Sequence, residues 1–382
     1  MFKQREVVRS GVSMAFGQTY VLDLPKSGRL ESLVLYVRST QNGQPFLASV
    51  PKWRLIDYIS KVEVIGDGSE VIKSYDGRQA LACAFYDDGR EPVSMWRHYS
   101  NTPHRQFIPI HFGRWFDDAL HDLDLSRFNQ VQLRITNDAS ATFFTTDIQL
   151  DVLAIWKREP MGASAGYFRE EEWKTWAPVA AATEYNILPT LLPIRRILLR
   201  GRPAVDSADS LNNSSMHRLM NPIDFTCRSG QVRRFLGSLE QLGHLSVMEF
   251  GALAETMGMI DRNADLGFET GVGYTTNSMK PTATYTNAPA TYPVTIANPD
   301  VQDSTQQTQA RTADAVLEWM ARGHGYMHNV PLLIAQLPDL SDMLDPKGEN
   351  EVKVDITCAS GTTVAGTDHN AENAIVLSRL VR

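Results

Sequence analysis

The residues best placed to do chemistry are two histidines and a run of aspartates. His324 and His328 lie four apart in Gly323-His324-Gly325-Tyr326-Met327-His328, a spacing that can set two imidazoles on one helix face as zinc ligands. Gly323 and Gly325 oppose a helix there, and no third ligand is marked, so loop or interface histidines are the expectation. His98, His104 and His111 are six and seven apart, without the His-x-His that a cupin metal site needs. Asp117, Asp118, Asp122 and Asp124 fall within eight residues, and Asp87-Asp88 form a second pair. Clustered carboxylates can serve acid/base catalysis or bind calcium through oxygen. The first cluster alternates with Trp115, Phe116, Leu120, Leu123 and Leu125, the pattern of a short amphipathic helix with a solvated face. Solvated or interface charge is the plain expectation, with calcium as the open alternative.

Motifs of other chemistries are missing. The chain has no GxSxG, no Walker GxxxxGK[ST], no strand-to-helix GxGxxG and no HExxH. Gly271-Val272-Gly273 is the nearest glycine pair, and it sits in a Thr-rich stretch. Cys83, Cys227 and Cys358 are far apart, odd in number and without CxxC spacing, which indicates neither a disulfide framework nor zinc. No enzyme activity, cofactor or metal is expected.

The elements that carry these residues are mostly strands. In 382 residues, 43% are hydrophobic and 21% charged, the mix of a globular protein of two or three domains. A net charge of −7 argues against a chain-wide nucleic-acid footprint, and neither a signal peptide nor an apolar run long enough to span a membrane is expected. Apolar residues recur with period two over 17–24, 30–37, 59–65, 70–75, 130–136 and 146–156, separated by turns such as Gly66-Asp67-Gly68. Helices are expected only over 79–85, 115–120, 168–176 and 313–322.

The second half replays the first. Tyr20 and Tyr185, in Thr19 to Pro25 and Glu184 to Pro189, are 165 positions apart; Leu33 and Ile197 are 164 apart. Ile56-Asp57-Tyr58 matches Ile223-Asp224-Phe225 at 167. Pro109 and Pro331 are then 222 apart, and Val131 and Val352 are 221 apart. The second copy therefore holds about 55 extra residues, placed near 255–312. That stretch has twelve Thr and only Arg262, Lys280 and Arg311 as cations, too polar for a core of its own. It is expected to project as a long surface loop, with a hairpin over Thr282 to Ile296 or disorder when isolated.

Three segments follow: a first unit at 1–156 with a basic arm at 1–11, a linker with a short helix at 157–183, and a second unit at 184–382 carrying the inserted loop. Each unit offers about eight short strands, too long for an immunoglobulin-type sandwich and suited to a jelly roll. The fold class expected is mainly β: two tandem eight-stranded antiparallel jelly-roll sandwiches with short helices.

This architecture, with Ile108-Pro109-Ile110-His111-Phe112-Gly113-Arg114 running on to Asp124-Leu125-Ser126-Arg127-Phe128-Asn129-Gln130-Val131, resembles the double jelly-roll major capsid proteins of tailless icosahedral viruses, of the tectivirus and corticovirus type. The resemblance implies a structural subunit that self-assembles into homotrimeric, pseudo-hexagonal capsomers of an icosahedral virion, as in a bacteriophage, after assembly in the host cytoplasm. It implies contacts with itself, with neighbouring capsomers, with vertex or penton and minor capsid proteins, and with an internal membrane or genome through the N-terminal arm. Lys3, Arg5 and Arg9 would then face the interior, where each cation near an anionic surface gains about 1 kcal/mol. The insertion, with Thr282, Tyr285 and Tyr292, would form a tower and intersubunit contacts. The rival expectation is a two-domain β-sandwich glycan-binding protein or carbohydrate-active enzyme, marked by exposed aromatics beside two carboxylates.

Overall fold

The computed structural model describes residues 2–40, 54–95, 103–158, 162–204, 216–261, 272–275, 282–285, 315–333, 343–366 and 370–382. The first half runs β1 (Phe2–Met14), β2 (Thr19–Asp23), β3 (Arg29–Thr40), β4 (Ile59–Gly66), β5 (Glu70–Tyr75), α1 (Gly77–Asp88), β6 (Ser94–Met95), β7 (Pro103–His111), β8 (Leu123–Asp124), β9 (Val131–Asn137) and β10 (Ile148–Arg158). The second runs β11 (Tyr167–Trp176), β12 (Thr183–Ile187), β13 (Ile194–Arg202), α2 (Met216–Leu219), β14 (Ile223–Cys227), β15 (Val232–Gly237), α3 (Leu239–Phe250), β16 (Leu253–Asp261), β17 (Val272–Thr275), β18 (Thr282–Tyr285), β19 (Ala315–Tyr326), β20 (Asn329–Leu333), β21 (Val352–Thr357) and β22 (Glu372–Val381).

Alternation of apolar and polar residues makes these strands two-faced, and the two inner faces meet in a core. In β9, Val131, Leu133 and Ile135 are buried while their neighbours are half-exposed. Each fully buried aliphatic side chain contributes about 1.5–3 kcal/mol. In the first roll the sheet β1-β10-β3-β7-β6 stacks on β2-β9-β4-β5 through one cluster that includes Leu33, Leu35, Leu150, Val64 and Leu133. In the second, β11-β22-β13-β20 stacks on β12-β21-β14-β15 through Ile197, Leu199, Leu377, Phe225 and Val354. These are two antiparallel jelly rolls: the second has eight strands, and the first has the same eight with the two-residue strands β6 and β8 added. They are joined edge to edge, because β5 pairs in parallel with β11, Lys73 opposite Glu170 and Ser74 opposite Glu171, to give one continuous eight-stranded sheet.

The repeat is finer than the sequence offsets show. α1 opens with a capping box of Asp76 and Gln79, and α3 with one of Ser238 and Gln241, 162 positions on. The glycines that end them, Gly89 and Gly251, keep that spacing. The hairpins β4–β5 and β14–β15 share a bulge at the same place, between Val64 and Ile65 and between Phe225 and Thr226. Pro109 and Pro331 sit opposite Val34 and Leu198, themselves 164 apart. One match shifts: Ile56-Asp57-Tyr58 is a 3-10 turn, so the partner of β14 is β4 and not that tripeptide.

Three expected helices are corrected. Residues 168–176, expected as a linker helix, form β11, the first strand of the second roll and the counterpart of β1. Glu170, Glu171 and Glu172 favour helix locally, but each meets a partner on a neighbouring element: Lys73, Arg379 and Gln79. Tertiary pairing overrides propensity. Of the helix expected over 313–322, the described residues 315–322 fall in β19, which pairs with β16 over nine positions. Residues 115–120 are a loop folded on Asp118, with Asp117 at a φ of 77°. The insertion, expected as a loop, supplies part of β16 and all of β17 and β18, a small sheet organised on β19. Thr282–Tyr285 pairs with β19 at Glu318 to Ala315, and the rest of the hairpin expected over Thr282 to Ile296 falls outside the described residues. Residues 286–314 lie outside the described residues.

Candidate functional site

The expected chemical clusters do not converge. Asp118 and Asp122 are buried, not solvated, and the four aspartates turn to separate partners. Asp118 accepts from Arg114 Nε and His121 Nδ1 at 2.7 and 3.0 Å and from the Leu120 amide. Burial opposes its charge, but these donors hold its pKa well below the carboxylate range. Asp122 takes Arg29 Nε at 2.7 Å and Lys157 Nζ at 3.0 Å, Asp124 caps a 3-10 turn through the Ser126 amide, and Asp117 pairs with Lys3. Oxygens engaged by cations on different elements leave no common centre for calcium.

The histidines are equally dispersed. His324 is in β19, and His328 lies in the β19–β20 turn, where Met327 and His328 both have positive φ. His328 Nδ1 is 3.4 Å from Arg78 Nη1. His111 bridges Ser32 Oγ at 2.8 Å and Asp88 at 3.0 Å, His104 is buried, and His98 lies outside the described residues. Among the described residues no group of three or more His, Cys, Asp or Glu could hold a metal. All three cysteines are buried and reduced, and burial pushes the Cys83 thiol up.

The segment expected as a basic arm is strand β1, paired with β10 from Phe2 to Met14. Lys3 is held by Glu31 at 2.7 Å, whereas Arg5 and Arg9 are exposed. Of the insertion residues, Thr282 and Tyr285 bound β18, and Tyr292 lies outside the described residues. The mark of a glycan site is partly present: Tyr185 is exposed in register with Asp355 and Asp224. Lys353 covers that ring at 4.7 Å and pairs with Asp355 at 2.6 Å, and Arg233 pairs with Asp224 at 2.9 Å, which makes the row a charged ladder.

The feature that spacing did not single out is the seam between the rolls. Arg196 reaches Asp87 at 2.7 Å and Glu170 at 3.0 Å, Arg195 reaches Asp87 at 2.9 Å, and Lys73 reaches Glu170 at 2.8 Å. All five side chains are buried. Arg195 also donates to the Arg114 carbonyl at 2.7 Å, and Arg200 pairs with Asp76. Burial works against the charge on Glu170, but Lys73 and Arg196 outweigh it and bring its pKa down to about 2. Tyr86 of α1 donates to the Asn329 carbonyl at 2.7 Å, tying the helix to the β19–β20 hairpin. A polar cavity of about 250 Å³ lies at the Arg200 end of this seam, walled by Asp57, Lys61 and Arg78 of one roll and Glu172, Arg200 and Glu372 of the other. The sequence carried one signal for the seam: Arg195-Arg196 inside Leu192-Pro193-Ile194 and Ile197-Leu198-Leu199. Charges in so apolar a strand need buried partners.

No family model matches the chain, and no curated protein matches it. Solved structures do. The MCP of STIV aligns with a TM-score of 0.58 at 9% identity, covering 100% of this chain and 97% of the other. The PBCV-1 virus capsid aligns at 0.53 and 11% identity over 99% and 93%. The major capsid protein of bacteriophage PM2 aligns at 0.51 and 9% identity over 100% and 98%. The chain therefore has, end to end, the double jelly-roll fold of these viral capsid proteins.

Proposed function

We propose that this protein is a major capsid subunit, a structural protein without catalytic activity that assembles with copies of itself into trimeric, pseudo-hexagonal capsomers of an icosahedral virion shell. The observation that carries this is the alignment of the whole chain, both rolls together, with capsid proteins. The dispersal of the histidines and aspartates onto separate structural partners supports a mechanical role. So do large apolar side chains left exposed on the second roll, Ile187, Leu236 and Met248 among them. In the virion, subunits would bury such surfaces against copies of themselves, within and between capsomers, and against vertex or minor capsid proteins. Assembly would take place in the host cytoplasm, with Arg9 turned to an internal membrane or genome. Native mass spectrometry of the purified chain at micromolar concentration tests the core of this: a trimer is expected, and a persistent monomer overturns it.

A further inference from the structure

The internal repeat supplies a template for a contact that one chain cannot make with itself. The closed seam joins β5 and α1 of the first roll to β11 and β13 of the second. β15 and α3 are the counterparts of β5 and α1. Their shared bulge puts Phe235 at the place of Lys73 and Leu236 at that of Ser74. β1 is the counterpart of β11: Arg5 lies opposite Ile155 as Glu170 lies opposite Ser378, and Glu6 follows as Glu171 does. Among the described residues β15 and β1 each end their sheet with an unpaired edge. The chain thus has one closed seam and the two halves of a second.

The halves differ from the closed seam in what they leave exposed. In α1 every residue from Gly77 to Asp87 is buried, and Tyr86 is 1% exposed. Its counterpart in α3, Met248, is 84% exposed, and Leu245 beside it is 51% exposed. The charges differ in a compensating way. In the closed seam Arg196 bridges Asp87 and Glu170. The repeat places Glu249 at Asp87, Ser32 at Arg196 and Arg5 at Glu170. The bridging cation is gone and the acid on the strand has become a base. Glu249 and Arg5 make no ion pair among the described residues of one chain, and opposite signs let them pair directly across two chains.

We infer that β15 and α3 of one copy dock on β1 of a second copy, as a parallel strand pair with Leu236 opposite Glu6 and with Glu249 facing Arg5. The inference rests on the capsid-subunit reading above and specifies its joint. Strand addition at open edges supplies main-chain hydrogen bonds, and the apolar face of α3 is covered. The contact is head-to-tail, so it closes a ring when its rotation allows. Three chains then give six rolls with the same strand pairing at every seam. This places Arg5 in the joint instead of against an internal membrane.

Two changes in the full chain test this. Glu6 and Leu236 are exposed, so Glu6→Cys with Leu236→Cys leaves each copy able to fold. Parallel neighbours lie about 4.8 Å apart, within disulfide span. Mild oxidation is expected to give covalent dimers and trimers on a non-reducing gel, absent from either single variant. Reversing one charge, Arg5→Glu, is expected to weaken assembly at least tenfold, and adding Glu249→Arg to restore it. A trimer that forms without these crosslinks, or without rescue by the double reversal, overturns the joint and leaves the capsid reading standing. A chain that stays monomeric at micromolar concentration overturns both.

Discussion

α1 and α3 begin with the same capping box and end on a glycine, yet α1 is buried along its length while α3 leaves Met248 exposed. The difference lies in their neighbours. α1 offers small residues, Ala80, Ala82 and Cys83, and is walled in by the second roll through Asp87 and Tyr86. α3 has the bulkier Leu242, His244 and Leu245 at those positions, with no third roll beside it among the described residues. Two copies of one supersecondary unit therefore acquire different chemistry: buried ion pairs on one, exposed apolar surface on the other. A stable seam in this fold needs both the sheet edge and charges placed to meet it.

The largest test breaks the closed seam. Arg196→Met should cost about 3–5 kcal/mol in urea denaturation, because Asp87 and Glu170 stay buried with half their cations removed. Its counterpart Ser32→Ala should cost about 1 kcal/mol, the loss of one hydrogen bond to His111. A similar cost for both would show that the seam is not what holds the rolls together.

Acid should weaken the Glu170 side of the same seam, while Asp87, whose pKa burial raises, works in the opposite direction. The pKa of Glu170 is held at about 2, below its unfolded value, so its contribution is complete above about pH 4.5 and is lost as pH falls toward 2. That loss is on the order of 3 kcal/mol. Denaturation midpoints measured from pH 6 to pH 2 should fall accordingly, and Glu170→Gln should start lower and flatten that limb.

The caps give a smaller contrast. Asp76→Ala removes both the cap of α1 and the Arg200 pair, at about 2 kcal/mol, while Ser238→Ala should cost about 1 kcal/mol. Equal losses would separate Arg200 from the stability of the seam. The smallest effect is Met248→Ala, which should leave monomer stability within about 0.5 kcal/mol. A clear fall in the monomer melting temperature would mean that α3 is already covered within one chain.

Much of this organisation is legible in the sequence, and what is missed has a common cause. Period-two alternation marks β2, β3, β4, β5, β9 and β10, and the offsets mark the repeat, because inner and outer faces of a strand are written residue by residue. Phe168 to Trp176 reads as helix because three glutamates in a row look solvated, whereas Lys73, Arg379 and Gln79 reach them from elements far away in the chain. Asp118 reads as part of a helix face, whereas Arg114 and His121 fold the loop around it. Of the site, only the Arg195-Arg196 pair within apolar strand β13 announces itself.

The amino-acid order by itself determined two cores of alternating strands and their repetition, since each depends on local pattern. Tertiary structure alone decided which copy of the repeated surface is closed. β5 meets β11 and α1 meets β13 only once both rolls exist, and the energy of a buried charge depends on the partner brought to it across that seam.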